Sequence, residues 1–170
     1  MKILAVIDMQ KDFIDGALGT KEAVQIVDAV EKKADEFLNA GDLVIYTRDT
    51  HQSSYLETQE GKNLPVVHCV EGTEGWQIHE KVYKEGCPII DKPSFGSLEL
   101  AEWVAAREDV DEIVVVGLCT DICVISNVMI LKARLPEILI SVAADCCAGV
   151  TPQSHQNALE AMKMCQVKIL

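Results

Sequence analysis

The stretch EIVVVGLCTDICVISNVMILKA (residues 112–133) decides the fold, because its two halves carry different hydrophobic patterns. EIVVVGL (112–118) is a continuous apolar run, typical of a strand that is buried on both faces. DICVISNVMILKA (121–133) has helical spacing and predicts a helix that begins at Thr120 as its N-cap. A buried strand followed directly by a helix indicates a parallel sheet covered by helices.

The same alternation recurs along the whole chain. The other predicted strands are KILAVID (2–8), LVIYT (43–47), PIID (88–91), EILISVAAD (137–145) and VKIL (167–170). Further helices are predicted within 21–40, 98–106 and 154–164, the last capped by Thr151 with Pro152 at its first position. Residues 48–75 are polar and predict a long loop region. We therefore expect a single domain over residues 1–170, a three-layer α/β/α fold with a mostly parallel, Rossmann-like central sheet.

Composition excludes several classes of function. The chain has 170 residues, 49% apolar and 25% charged, and its net charge is −12. The negative charge argues against binding to nucleic acid and to anionic membrane surfaces. No apolar run approaches the roughly 20 residues of a membrane span. Seven cysteines, an odd number, without an export signal indicate free thiols in a reducing cytoplasm.

Reactive and metal-binding residue types follow four of the predicted strands. They are Asp8 after the first strand, Asp49 and His51 after the second, Lys92 after the third, and Cys119 to Cys123 after 112–118. Ligands of open parallel sheets bind at the carboxyl ends of the strands, so we expect these side chains to meet. The phosphate loops of nucleotide-binding folds are absent, because the chain contains neither G-x-G-x-x-G nor the Walker A pattern.

Cys123 is the candidate nucleophile. Near the start of a helix, free backbone N–H groups and the helix dipole lower a thiol pKa and can hold an oxyanion. Asp8 would take the thiol proton, and Lys92 would stabilise the charges. The alternatives are a structural buried cysteine, a carboxylate that only caps a turn, and a solvated lysine.

Asp49 and His51 form a D-x-H pair that could ligate one metal ion. Residues i and i+2 of an extended chain point to the same side, and His68 lies downstream as a third donor. The alternative is that these are solvated loop histidines.

Five motifs resemble the nicotinamidase branch of the isochorismatase-like cysteine hydrolases. They are AVIDMQKDF (5–13), TRDTH (47–51), HCVEGTEGW (68–76), DKPSFGS (91–97) and GLCTDICV (117–124). They occur in the family's order and cover nearly the whole chain. The resemblance implies the isochorismatase-like hydrolase fold and a catalytic triad of Asp8, Lys92 and Cys123. It also implies a cis peptide between Leu118 and Cys119, with the backbone N–H groups of Cys119 and Cys123 forming an oxyanion hole.

The resemblance further implies a divalent metal, usually zinc, on Asp49, His51 and His68. The ring nitrogen of the substrate meets that metal, and Phe13 packs against the substrate ring. Two departures from the family stand out. A further histidine that many relatives carry after D-x-H is missing; some relatives use a glutamate, for which Glu57 is the first choice and Glu60 the second. An aromatic residue often found before the last metal histidine is replaced by Pro65, with Trp76 or Phe95 as substitutes.

The expected function is that of a cytoplasmic, metal-dependent amidase, which converts nicotinamide and water to nicotinate and ammonia in NAD salvage. Isochorismatases act on a vinyl ether and do not need the cysteine, so Cys123 favours amide hydrolysis. One alternative is an amidase for another small amide or carbamoyl compound; another is a non-catalytic module that binds a metal or ligand. The expected partner is a small amide substrate, and neither a nucleic acid nor a membrane is expected as a partner. Members of the family often assemble, so the resemblance implies a homo-oligomer.

Overall fold

The computed structural model describes all residues, 1–170, as alternating strands and helices. The strands are β1 (Lys2–Ile7), β2 (Leu43–Asp49), β3 (Ile89–Lys92), β4 (Glu112–Leu118), β5 (Leu139–Ala148) and β6 (Lys168–Ile169). The helices are α1 (Lys11–Ile14), α2 (Lys21–Asn39), α3 (Gln59–Asn63), α4 (Leu98–Ala105), α5 (Ile125–Arg134) and α6 (Pro152–Met164). None of them combines the length and the apolar character that crossing a lipid bilayer requires.

The six strands form one sheet in the order β3-β2-β1-β4-β5-β6, and every pairing is parallel. This confirms the predicted α/β/α class. The chain runs outward from β1 to β3, then returns to place β4 on the other side of β1. The carboxyl ends of β1 and β4 therefore flank the crevice in which ligands of such sheets bind.

Both faces of the sheet are buried, which explains why the strands are apolar throughout. Along β1, Ile3 and Ile7 contribute to the core beneath α4, α5 and α6, whereas Leu4 and Val6 contribute to the core beneath α2. Successive strand residues point to opposite faces, so a strand covered on both sides has no polar face.

Several predicted boundaries are wrong by one to three residues. β2 extends to Asp49 and β3 to Lys92, because these two residues pair with each other at the end of the sheet. β5 spans 139–148 instead of 137–145, and the predicted loop 48–75 contains a short 3-10 turn at Tyr55–Glu57 as well as α3. The predicted cap of α6 is confirmed: the Thr151 side chain accepts the Ser154 N–H, with Pro152 next in the chain.

Candidate active site

Three predicted catalytic residues come together at the carboxyl end of the sheet. Asp8 directly follows β1, Lys92 is the last residue of β3, and Cys123 follows β4; all three side chains are buried. Asp8 has a φ of +46°, a left-handed conformation that is uncommon for any residue but glycine. Thr47 of β2 holds this conformation, because its Oγ1 accepts the Asp8 N–H at 3.2 Å and donates to Asp8 Oδ1 at 2.6 Å.

The Lys92 ammonium is the centre of this cluster. Its Nζ lies 2.6 Å from Asp8 Oδ2, 3.6 Å from Cys123 Sγ and 3.4 Å from Asp49 Oδ1. It also donates to the Ser94 carbonyl at 3.0 Å. One cation thus contacts a carboxylate, a thiol and a possible metal ligand.

Burial and charge set the protonation of the cluster. Burial raises the pKa of the Asp8 carboxyl, against the opposing charge of Lys92. Burial, reinforced by the Asp8 charge, also raises the pKa of the Cys123 thiol well above its usual range. Burial alone would lower the pKa of Lys92, but Asp8, Cys123 and Asp49 together outweigh burial and raise that pKa. The ammonium therefore stays charged, while the carboxyl and the thiol compete for one proton.

The turn that carries Cys123 differs from the prediction. Residues Thr120–Val124 form a π-helical turn whose N-cap is Cys119, so the predicted N-cap, Thr120, is wrong. The Leu118–Cys119 peptide bond is cis, as the family resemblance implied. The Cys119 carbonyl accepts the N–H groups of Ile122 and Val124, both at 3.0 Å.

A side chain of α6 and a backbone N–H of the loop before it support this turn. Thr120 Oγ1 lies 2.7 Å from His155 Nδ1, and the Asp121 carboxylate accepts the Val150 N–H at 3.2 Å. Asp121 therefore has a structural partner outside the triad. Sequence reasoning missed His155, because only the packing of α6 against the turn brings it there.

Four side chains form a group that could hold a metal ion, here called the metal-ligand group. The ligand atoms of Asp49, His51, Glu60 and His68 all lie within 4.8 Å of one another. Asp49 Oδ2 is 2.9 Å from His51 Nε2 and 3.6 Å from His68 Nε2, and Glu60 Oε1 is 3.7 Å from His51 Nε2. Three of these residues were predicted together. The fourth is Glu60, the second choice; the first choice, Glu57, is exposed in the 3-10 turn and lies outside the group.

The donor set fits a divalent cation. His51 Nε2 is buried and makes no hydrogen bond, which leaves its lone pair for another partner. His68 Nδ1 lies 2.7 Å from the Val66 carbonyl; donation there places the free lone pair on Nε2, facing the group. Burial raises the pKa of Asp49, but the His51 and His68 rings beside its carboxylate and the Lys92 charge together hold that pKa well below its ordinary value. The Asp49 carboxylate is thus ionised and could bind a cation.

Two side chains that sequence reasoning did not single out brace the metal-ligand group. Gln10 Oε1 accepts the Asp49 N–H at 2.7 Å, and its Nε2 donates to the Asp49 carbonyl at 2.8 Å. Asp12 Oδ2 accepts the N–H of Cys69, the neighbour of His68, at 2.8 Å. Gln10 and Asp12 both lie in the AVIDMQKDF motif. Polar side chains directly after a buried strand were the sequence feature that could have identified them.

A cavity of about 250 Å³ opens above the cluster. Cys119 and Cys123 line it, as do Asp49, Glu60 and His68, and most of the remaining lining is apolar. Of the predicted aromatic residues, Phe13 and Phe95 line it. Trp76 does not: Arg48 stacks over its ring at 3.6 Å, and its Nε1 donates to Thr50. An apolar chamber above a buried thiol suits a small, largely uncharged molecule.

Comparison with known proteins gives consistent matches over the full length. The family model for the Isochorismatase domain matches residues 2–170. The chain is 28% identical to the nicotinamidase of Escherichia coli, over 96% of this chain and 90% of the relative. It is also 28% identical to the nicotinamidase/pyrazinamidase of Mycobacterium tuberculosis, over 100% and 98% of the two chains. The crystal structure of the pyrazinamidase of Pyrococcus horikoshii in complex with zinc superposes with a TM-score of 0.88 at 27% identity, covering 99% of this chain and 98% of that one.

Proposed function

Because the chain belongs to the isochorismatase family, we propose that it is a nicotinamidase that hydrolyses nicotinamide to nicotinate and ammonia. Its relatives mark it as a hydrolase of an amide C–N bond. One observation carries the proposal: Cys123, in contact with the buried Lys92–Asp8 pair, lines an apolar cavity that Asp49, Glu60 and His68 also line. A planar pyridine ring with a carboxamide is of a size suited to such a cavity.

The proposed reaction begins with a proton transfer. Asp8 takes the Cys123 thiol proton, and the thiolate attacks the amide carbon, while Lys92 stabilises the negative charge. The oxyanion accepts hydrogen bonds from the N–H groups of Cys119 and Cys123. As this tetrahedral species collapses, the C–N bond breaks, and Asp8 returns the proton to the departing ammonia. Water then hydrolyses the thioester, which releases nicotinate and restores the thiol.

Asp49, His51, Glu60 and His68 would hold a divalent ion beside this cluster, and zinc accepts such a mixed set of nitrogen and oxygen donors. When bound, the ion would supply Lewis acidity near the substrate ring nitrogen. The residues of the chain supply the remaining chemistry: Phe13 packs against the ring, and the apolar walls limit water around the carboxamide.

The test is a nicotinamide assay and a metal analysis on the same preparation. We expect ammonia release, and we expect Cys123→Ala to reduce kcat by at least about a thousandfold, because the covalent step is lost. Cys165→Ala is the matched control. Cys165 is exposed at the end of α6, so its substitution should leave kcat unchanged. Ammonia release that survives Cys123→Ala would refute the mechanism.

Pro65 favours a second candidate, an amidase for another small amide or carbamoyl compound, because the ring wall that relatives place there is absent. Kinetics on nicotinamide against a panel of small aliphatic and carbamoyl amides separate the two. A non-catalytic binding module is the third reading, and any turnover eliminates it. A role in NAD salvage, a cytoplasmic location, a homo-oligomeric state and the absence of nucleic-acid and membrane partners stay predictions.

A further inference from the structure

Residues Thr120–Val124, here called the nucleophile turn, are joined to α6 by one side-chain hydrogen bond. Thr120 Oγ1 lies 2.7 Å from His155 Nδ1. Thr120 is fully buried, and His155 is the only hydrogen-bond partner of its hydroxyl within the protein. A buried hydroxyl without a partner is costly, so this bond helps to determine where the nucleophile turn begins.

The helix α6 gives the His155 ring a rigid support. The helix begins at the Thr151 cap, and the His155 N–H donates to the Thr151 carbonyl at 3.0 Å. The preceding loop packs closely against it, because a Cβ on Gly149 would lie 2.8 Å from the backbone nitrogen of His155. Leu159 and Met162 of the same helix are buried in the core beneath it. The His155 side chain therefore projects from a fixed backbone.

Burial and hydrogen bonding determine which nitrogen of His155 carries the proton. Burial lowers the pKa of the ring, against the charge of Asp121, so the ring is neutral near pH 7. A neutral imidazole has one N–H and one acceptor nitrogen. The Thr120 hydroxyl has no other acceptor, so it donates to Nδ1 and leaves the proton on Nε2. The other titratable groups that face the ring are Glu22 of α2 and the Cys147 thiol of β5, which line a second cavity with it.

The position of the nucleophile turn determines whether Cys123 contacts Lys92. Cys123 Sγ lies 3.6 Å from Lys92 Nζ, although Cys123 follows β4 and Lys92 ends β3. The N-cap of the turn, Cys119, makes no side-chain capping bond, so the turn depends on bonds from neighbouring elements. A displacement of about 1 Å at a reacting group can lower a rate by about a hundredfold.

We propose that His155 is a positioning residue, whose Nδ1 holds the Thr120 hydroxyl and thereby keeps Cys123 in contact with Lys92. The inference rests on the proposed amidase function and deepens it, because Cys123 is the nucleophile of that reaction. Neither His155 nor Thr120 lines the cavity above the cluster. Loss of their bond should therefore lower kcat and leave KM nearly unchanged.

Steady-state kinetics on nicotinamide test this bond from both sides. We expect His155→Ala to lower kcat about ten- to hundredfold and to change KM by less than about twofold. His155→Asn should keep kcat within about threefold of wild type, since its Oδ1 can accept the Thr120 hydroxyl from nearly the position of Nδ1. Thr120→Val removes the donor instead. The double variant with His155→Ala should lose no more than the larger single loss, because both changes remove one bond.

His79→Ala is the matched control. His79 is half-buried like His155, but its Nδ1 accepts only the Lys81 N–H of its own turn. Its removal should therefore leave both kcat and KM unchanged.

The pH dependence separates positioning from a general effect on folding. Protonation of His155 places a hydrogen on Nδ1, which can then no longer accept the Thr120 hydroxyl. Because the pKa of the ring is lowered, this loss occurs as the pH falls below the ordinary range of histidine. Asparagine does not titrate, so the kcat of His155→Asn divided by that of wild type should rise in acid. Division by the wild-type value cancels the titration of groups that both proteins share.

A second readout does not need turnover of nicotinamide. Iodoacetamide alkylates thiols, and mass spectrometry follows Cys123 and the exposed Cys165 in the same metal-loaded molecule. We expect His155→Ala to slow the alkylation of Cys123 relative to Cys165 by at least about threefold, because the thiolate loses a neighbouring cation. His155→Asn should restore the wild-type rate.

The outcomes are decisive and separable from the proposed function. An unchanged kcat in His155→Ala, a loss that lies in KM, additive losses in the double variant, a kcat ratio for His155→Asn that is constant with pH, or unchanged alkylation would each overturn the inference. Should His155→Ala fail to fold, Thr120→Val tests the same bond. A protein that does not hydrolyse nicotinamide but shows the alkylation effect would contradict the proposed function and leave this inference standing.

Discussion

Glu57 and Glu60 illustrate what a single residue position decides. Both follow the D-x-H pair at a plausible distance in sequence, and no pattern distinguishes them. The choice depends on α3: the Thr58 side chain accepts the Gly61 N–H and begins this helix, which places Glu60 beside His51 and leaves Glu57 exposed. The family resemblance predicted a glutamate as the fourth member of the group, but its position depended on a helix of five residues that carries no apolar pattern.

We predict that Glu60→Ala loses metal and that Glu57→Ala does not. Removing one of four ligands should weaken zinc binding by more than about tenfold, whereas an exposed glutamate outside the group should have no effect. The metal content of both variants after identical dialysis, measured by elemental analysis, checks this. Full retention of zinc by Glu60→Ala would remove Glu60 from the ligand set.

At the scale of elements, the strand and helix around GLCTDICV were predictable, but the connection between them was not. The apolar run and the helical spacing predict β4 and α5. The π-helical turn between them, with Cys119 as its N-cap, depends on a backbone geometry that hydrophobic periodicity does not indicate. The same holds for the left-handed φ of Asp8, which Thr47 supports from a neighbouring strand. Residue identities therefore predicted which side chains meet, but not the backbone that joins them.

Gly117 in β4 gives a prediction about this connection. Its φ is +117°, and a Cβ there would lie 2.1 Å from the Ile7 carbonyl oxygen of β1. Gly117→Ala should therefore lower the free energy of unfolding by more than about 2 kcal/mol, since it adds a clash to an unfavourable φ.

Gly41 is the matched control for Gly117. It also has a positive φ, +78°, but nothing lies within 4 Å of a Cβ placed there. Gly41→Ala should cost only the conformational part, about 1 kcal/mol. Urea unfolding of both variants measures the difference, and equal losses would show that the close approach to Ile7 contributes nothing.

For the whole molecule, the alternation of strands and helices predicted a parallel sheet but not its strand order. That order depends on which strands pair across loops of very different length, and neighbouring apolar strands are nearly interchangeable in composition. The placement of β4 beside β1 brings Asp8 and Cys123 to the same crevice, although β2 and β3 lie between β1 and β4 in the chain. The reactive residues at the strand ends were therefore a better guide to the site than any reading of topology.

The single-domain prediction has a direct test in unfolding. The two cores share one sheet, so we expect one cooperative transition, in which the calorimetric and van't Hoff enthalpies agree. Trp76, which donates a hydrogen bond to Thr50 after β2, and Trp103, in α4, report on different parts of the chain. Fluorescence of single-tryptophan variants that retain one or the other should give the same midpoint, and two separate midpoints would contradict a single domain.

The position of β1 between β2 and β4 has a consequence for synthesis on the ribosome. Pairing with β2 covers one edge of β1 early. The other edge of β1 stays unpaired until residues 112–118, which form β4, have been synthesised. At about 5–20 residues per second, the hundred or so intervening residues take roughly 5–20 s to translate. During that interval the nascent chain exposes an apolar strand edge, which is the kind of surface that chaperones bind and that promotes aggregation. Slower translation before residue 112 would lengthen that exposure, and so the yield of folded protein should depend on codon choice in this part of the message.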